Sequence, residues 1–254
     1  MLDALVLQLA TGTIIGLGAG YLGSFMILRR MSLVGDALSH VALPGIAVAL
    51  LIHINPFIGA FAALIIAVIG IWSVEQQSSL PSETLVGIAF TTALALGLLL
   101  TPEPELLEAL FGNITKIGLP DFILAVLLVL VVLFVMGRIT KGMLLGIISS
   151  DLAKSTGVAL DTINLIFLLL VSVIVALGLK VAGTLLMGSL VIIPAAAAKN
   201  ISQNLHHYTF LGGLFGALSA LIGIFIASYW HLNPGAIVVL TSGVIFLGTL
   251  LFKK

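Results

Sequence analysis

The sequence predicts an all-α fold, a polytopic integral membrane bundle of eight or nine transmembrane helices forming a single domain over residues 1–254. Three observations predict it. Only 8% of the residues are charged and 61% are hydrophobic, whereas a soluble domain carries about 25% charged residues. The mean hydropathy is +1.32, too apolar for a surface facing water, so most of the surface must face lipid. Glycine is frequent, at 27 residues, and small residues let membrane helices approach closely.

Crossing about 30 Å of hydrocarbon takes roughly 20 apolar residues in a helix. Such runs lie at 4–28, 35–52, 57–74, 84–101, 122–137, 162–178, 181–198, 209–229 and 235–252. The first contains Gly16, Gly18, Gly20 and Gly23, which predicts a bent or tightly packed span. No basic residue precedes it, since the first is Arg29. A secretory signal begins with a basic region, so this run is expected to stay as a span. The sixth and seventh runs are divided only by Gly178-Leu179-Lys180, which leaves the choice between eight and nine.

Basic residues collect on the cytoplasmic side. With nine spans alternating, Arg29, Arg30, Arg138, Lys141, Lys154, Lys199, Lys253 and Lys254 fall on one side, and Lys116 and Lys180 on the other. The N-terminus is therefore expected outside and the C-terminus in the cytoplasm. The Glu75–Glu83 turn and the Arg138–Asp161 segment then face the cytoplasm. The Thr101–Pro120 segment, acidic at Glu103, Glu105 and Glu108, faces outside. Within the second cytoplasmic segment a short helix is predicted over Ser150–Thr156, capped by Ser149 or Ser150 and stopped at Gly157. A weak echo links His53-Ile-Asn-Pro56 with His231-Leu-Asn-Pro234, where Asn-Pro ends one helix and starts the next.

Ionisable groups inside a membrane are costly and mark functional positions. The clear case is Asp36 with His40. Four residues apart on a helix, the two share one face, with Ser39 beside them. A carboxylate and an imidazole can hold a divalent ion such as Zn²⁺ or Mn²⁺. They can equally be a helix-capping Asp and an internally hydrogen-bonded His, and the residues alone leave both readings open. Pro44 and Gly45 follow at once, and a proline there can free a carbonyl to line a cavity. The run Lys180–Lys199 places Gly183, Gly188, Ser189 and Pro194 in one span, a face suited to packing and bending. Met143 and Met187 read as core filler.

There is no cysteine, hence no thiolate site, and the zero net charge gives no sign of a nucleic-acid partner. The chain has no Walker-type G-x-x-x-x-G-K-[ST] and no H-E-x-x-H, and no residue set argues for an active site.

The stretch Leu28–Ala47 (LRRMSLVGDALSHVALPGIA) resembles the signature of zinc/manganese-type ABC transporter permeases. So do Glu83–Leu100, Leu110-Phe-Gly-Asn113, Ser149–Val158, Leu179–Ala198 and Leu232–Leu247, which occur in the family's order through nearly the whole chain. The resemblance implies a permease domain over 1–254, the membrane subunit of a bacterial importer in the cell (inner) membrane. Two copies would pair as a homodimer with two copies of a separate cytoplasmic ABC ATPase. An extracytoplasmic metal-binding protein would deliver the ion. The cargo implied is Zn²⁺ first, with Mn²⁺ or iron as alternatives, and no cofactor is permanently bound. By the same resemblance Asp36 and His40 line the metal pathway. Ser150, Asp151, Leu152, Ala153, Lys154 and Ser155 would contact the ATPase, so the chain would not itself be an enzyme. The competing readings are a stand-alone secondary carrier or channel, and a membrane-embedded enzyme.

Overall fold

The computed structural model describes residues 2–78, 80–100, 110, 112, 114 and 117–252. Its helices are α1 (Leu2–Leu28), α2 (Val34–Leu51), α3 (Pro56–Glu75), α4 (Ser82–Leu100), α5 (Leu119–Ile148), α6 (Ser150–Ser155), α7 (Leu160–Ile201), α8 (Leu205–Trp230) and α9 (Pro234–Leu250). Seven stretches are long and apolar enough to cross a membrane, and two further apolar helices, Leu186–Ile201 and Pro234–Leu250, are shorter. Each of the nine apolar runs is helical over nearly all of its described residues. The acidic residues Glu103, Glu105 and Glu108 lie outside the described residues.

One division falls elsewhere than expected. The helix continues through Gly178-Leu179-Lys180 and breaks at Gly183, whose φ of 71° and ψ of 178° interrupt α7. That backbone region is open essentially to glycine alone. A straight helix separates residues 178 and 187 by about 13.5 Å. Here a Cβ added to Gly178 would meet the Met187 sulfur at 2.0 Å, so the second limb turns back along the first. The flanking helix α9 runs beside that limb: Gly235 approaches Ala182 near the break, and Asn200 donates to Thr249 at 3.0 Å near the limb's end.

Glycine also sets the closest helix crossings. A Cβ on Gly20 would sit 2.0 Å from the Gly212 carbonyl oxygen, and one on Gly16 would sit 2.4 Å from that of Gly216, so α1 and α8 touch backbone to backbone. Gly45 and Gly59 make the same contact between α2 and α3. Lipid offers apolar side chains no reason to cluster, so close van der Waals approach of this kind holds membrane helices together. Phe25, Leu38, Leu64, Met136 and Phe167 fill the interior. Ile66, Leu99, Leu130 and Phe134 are exposed on the outside of the bundle, as lipid-facing residues are expected to be.

The two His-x-Asn-Pro sequences form similar turns. His53 and His231 both have positive φ, 55° and 52°. Asn55 accepts from the Phe57 amide at 2.9 Å and Asn233 from the Ala236 amide at 3.2 Å. Pro56 and Pro234 each open a helix, where the missing N–H costs nothing. The echo is therefore a repeated helix connection.

Polar side chains tie helices together at both ends. At the end that carries Arg29 and α6, Glu75 accepts from Ser82 and, at 2.8 Å, from Asn164. The Arg29 guanidinium lies 5.0 Å from the Phe167 ring centroid beside them. These contacts join α1, α3, α4 and α7. At the other end Lys180 pairs with Asp121 and lies 5.0 Å above the Phe57 ring, while Asp121 accepts from the Gly118 amide at 3.0 Å.

Gly183→Ala forces a side chain into the glycine-only conformation, at a cost of order 1–3 kcal/mol. The thermal unfolding midpoint of the detergent-solubilised protein should fall. Gly243→Ala, where an added Cβ meets nothing within 4 Å, should leave the midpoint unchanged or raise it.

Candidate functional site

Helix α2 opens at Val34 without a side-chain cap, and the residue before it is Leu33. Asp36 is therefore not the residue that starts the helix. The carboxylate lies against α7 instead: a Cβ on Gly188 would fall 2.7 Å from Asp36 Oδ1 and 2.5 Å from its Cβ. Only a residue without a side chain leaves room for Asp36 there. Gly188 stands 13 residues before the end of α7 at Ile201, which is about 20 Å along a helix. Asp36 thus sits well inside the bundle rather than at its rim, deeper than its place near the start of the second span suggests.

His40 lies one turn further along α2. It is 9% exposed, and its Nδ1 is buried with no hydrogen-bond partner. The internally satisfied histidine that the sequence left open is not what the structure shows. The ring packs on Phe90 of α4, with centroids 5.3 Å apart, which fixes its plane. Pro44 occupies the interior of α2. It lacks the N–H that would bond four residues back, so the His40 carbonyl also loses its helical donor.

Between Asp36 and His40 stands Ser39, which is fully buried. Its hydroxyl lies 2.7 Å from the Asp36 carbonyl and 2.7 Å from the Thr184 carbonyl. Thr184 directly follows the break at Gly183. The Asp36–His40 face is therefore bonded to the one point where α7 changes direction. A carboxylate, an imidazole nitrogen without a partner and free carbonyl oxygen make a donor set of mixed hard and borderline character. Among the described residues no three His, Asp or Glu side chains cluster as a closed metal cage.

The short helix α6 has the cap and stop the sequence predicted. Ser149 accepts from the Leu152 amide at 3.2 Å, and Gly157 has a φ of 78°. The helix ends one residue earlier, at Ser155. Ala153 is fully buried and pins the helix to the bundle, while Ser150, Asp151, Leu152, Lys154 and Ser155 are exposed. Leu152 and the neighbouring Ile147 and Ile148 give this knuckle an apolar surface. Asp36 with His40 and the α6 residues are thus two separate places. Helix α7 runs between them, separated from α6 by four residues and breaking beside Ser39. The sequence reading did not identify Thr184, Gly188 as a cradle, or the Glu75–Asn164 bond. The one available hint was Asn164, an amide at the start of an otherwise apolar run.

A polytopic bundle of this kind, with half-buried Asp36 and buried His40 beside a helix break and an exposed knuckle at one end, has the architecture of a transport subunit. Residues 1–253 match the ABC 3 transport family, and the chain belongs to that family. Among curated relatives it is 33% identical over 248 residues to the manganese transport system membrane protein MntC of Listeria monocytogenes, covering 96% of this chain and 89% of the relative. It is also 33% identical over 235 residues to the high-affinity zinc uptake system membrane protein ZnuB of Buchnera aphidicola, with 90% of each chain covered. Among solved structures it resembles a chain of PsaBC from Streptococcus pneumoniae in complex with Fab. The TM-score is 0.83 and the identity 31%, over 95% of this chain and 89% of the other. The chain is a multi-pass bacterial membrane protein, a permease subunit of the ABC type.

The absence of native cysteine gives a direct test of this geometry. Asp36→Cys should react with a small, membrane-impermeant thiol reagent in the assembled transporter. Leu38→Cys, at a fully buried position, should not. Adding Gly188→Val to Asp36→Cys should slow the reaction by filling the cradle.

Proposed function

We propose that this chain is the membrane-spanning path of an ATP-driven importer of divalent transition-metal ions, Zn²⁺ or Mn²⁺. The observation that carries the reading is the Asp36–His40 pair: one face of α2, an unpartnered imidazole nitrogen, and a hydrogen bond to the break in α7. Relatives named for manganese and for zinc support the same cargo class. Carboxylate and carbonyl oxygens suit Mn²⁺, imidazole nitrogen suits Zn²⁺, and neither ion requires a thiolate.

In this reading the end carrying Arg29, Arg138, α6 and Lys199 faces the cytoplasm, in keeping with the positive-inside rule. The N-terminus is outside. A separate ATPase docks on the exposed face of α6 through Asp151, Leu152, Lys154 and Ser155, with Ser150 at its rim and Ala153 as the anchor. Two permeases and two ATPases assemble, and an extracytoplasmic binding protein presents the ion. Movement of α6 is passed along the first limb of α7 to the break at Gly183. The Ser39–Thr184 bond carries it on to the metal face. The ion meets two side-chain ligands per protomer, few enough to let it leave, since conduction needs binding that is weak enough to release.

The test is uptake of radioactive Mn²⁺ and Zn²⁺ into vesicles that hold the complete transporter. Uptake should require ATP and vanish in Asp36→Asn, while the complex still assembles. Uptake by this chain without its ATPase would overturn the reading in favour of a carrier. Changing Asp151 and Lys154 together should leave the chain folded and inserted but abolish stimulation of the ATPase. Unchanged stimulation would remove α6 from the coupling route.

A further inference from the structure

Among the described residues the buried serine and threonine hydroxyls obey one rule, and Thr184 alone departs from it. In a membrane-embedded helix a serine or threonine hydroxyl satisfies itself by donating to the carbonyl three or four residues back. Thr11 bonds the Leu7 carbonyl, Ser24 that of Gly20, Ser172 that of Leu168, Ser219 that of Phe215 and Ser242 that of Val238. Thr209 and Thr249 donate to the carbonyl three residues back, and Ser39, equally near the carbonyl three residues back, gives its one proton across to Thr184. Among the described residues every buried serine and threonine hydroxyl therefore has a partner except Thr184 Oγ1, which has none although the residue is fully buried.

The reason is the break at Gly183, which takes Thr184 out of register with the preceding turn. Leaving a hydroxyl buried without a partner is costly, and valine would occupy the same volume without that cost. The hydroxyl is also not in an arbitrary place. The carbonyl of the same residue is bonded by Ser39, which stands next to His40 and three residues after Asp36. Of the other buried side-chain atoms without a partner, on Arg29, His40, Trp72, Asn164 and Tyr208, His40 Nδ1 belongs to that same α2 face.

We infer that Thr184 Oγ1 is a further oxygen donor to the transported ion, working with Asp36 and His40, and that it tilts the site toward Mn²⁺ over Zn²⁺. A neutral hydroxyl is a hard ligand, which suits Mn²⁺ better than Zn²⁺. It sits on α7, whereas Asp36 and His40 sit on α2, so the ion bridges the two helices whose relative position the Gly183 break controls. Movement of the second limb would withdraw one donor and loosen the ion without disturbing the other two. This inference rests on the proposed function, that metal ions pass this site.

The test compares Thr184→Val with Thr184→Ser in the complete transporter reconstituted in vesicles. Initial uptake is measured with Mn²⁺ and Zn²⁺ in competition, and thermal stability in detergent with and without Mn²⁺. Thr184→Val should fold with metal-free stability equal to or above wild type. It should lose the stabilisation that Mn²⁺ gives the wild type and shift the uptake ratio toward Zn²⁺ by about tenfold, equivalent to about 1.4 kcal/mol. Thr184→Ser, which keeps the hydroxyl, should restore both. Wild-type uptake ratio and Mn²⁺ stabilisation in Thr184→Val would overturn the inference and leave the importer reading intact. Equal losses in the Val and Ser variants would also overturn it, because volume rather than the hydroxyl would then be at work. If Thr184→Val does not fold, Thr184→Ala carries the same comparison. A wild-type transporter that moves neither metal would overturn the proposed function and this inference with it.

Discussion

The single residue Gly183 determines how the rest of the molecule is arranged. With φ 71° and ψ 178° it turns one long apolar stretch into two limbs that lie alongside each other. That reversal brings Gly188 to face Asp36, lets Ser39 bond the Thr184 carbonyl, and sends the chain back to the end from which α7 started. Move the break by one residue, and helical rotation of about 100° would point a different backbone carbonyl at α2. The cradle at Asp36 and the bond at Ser39 depend on the same turn, so the candidate metal face and the packing of α7 cannot vary independently.

Around that break the bundle uses the few devices a lipid environment allows. Apolar area separates nothing from lipid, so association rests on shape and on polar contacts. Glycine pairs give shape between α1 and α8 and between α2 and α3. Polar contacts occupy the two ends, Lys180 with Asp121 at one and Glu75 with Ser82 and Asn164 at the other. Between them the described interior is apolar apart from hydroxyls, most of them bonded within their own helix, and the Asp36–His40 face. An ionisable residue placed there marks a functional position, and membership of the ABC 3 transport family agrees with a role in transport.

The fold was largely legible in the sequence because lipid leaves little choice: a span must be a long apolar helix. The division between the sixth and seventh spans was misplaced because the sequence signal followed polarity, at Gly178-Leu179-Lys180. The chain instead breaks where the backbone demands glycine, inside the apolar run at Gly183. Asp36 and His40 were legible from their spacing, and Ser149 and Gly157 from cap and stop chemistry. The depth of Asp36 was not, since it depends on where α2 sits against α7. Thr184 gave no signal at all, because its significance lies in a missing hydrogen bond. The His-x-Asn-Pro echo was read correctly as helix punctuation, with the structure adding that both histidines adopt the left-handed conformation.

The central claim is that an ion held in this permease is bound by the α2 face that carries His40. Pulsed electron paramagnetic resonance of Mn²⁺ bound to the purified transporter reports directly on nitrogen ligands. The account predicts coupling to an imidazole nitrogen that disappears in His40→Gln while an oxygen-ligated Mn²⁺ signal persists or binding weakens. Nitrogen coupling that survives in His40→Gln, or wild-type binding with no nitrogen coupling, would contradict it.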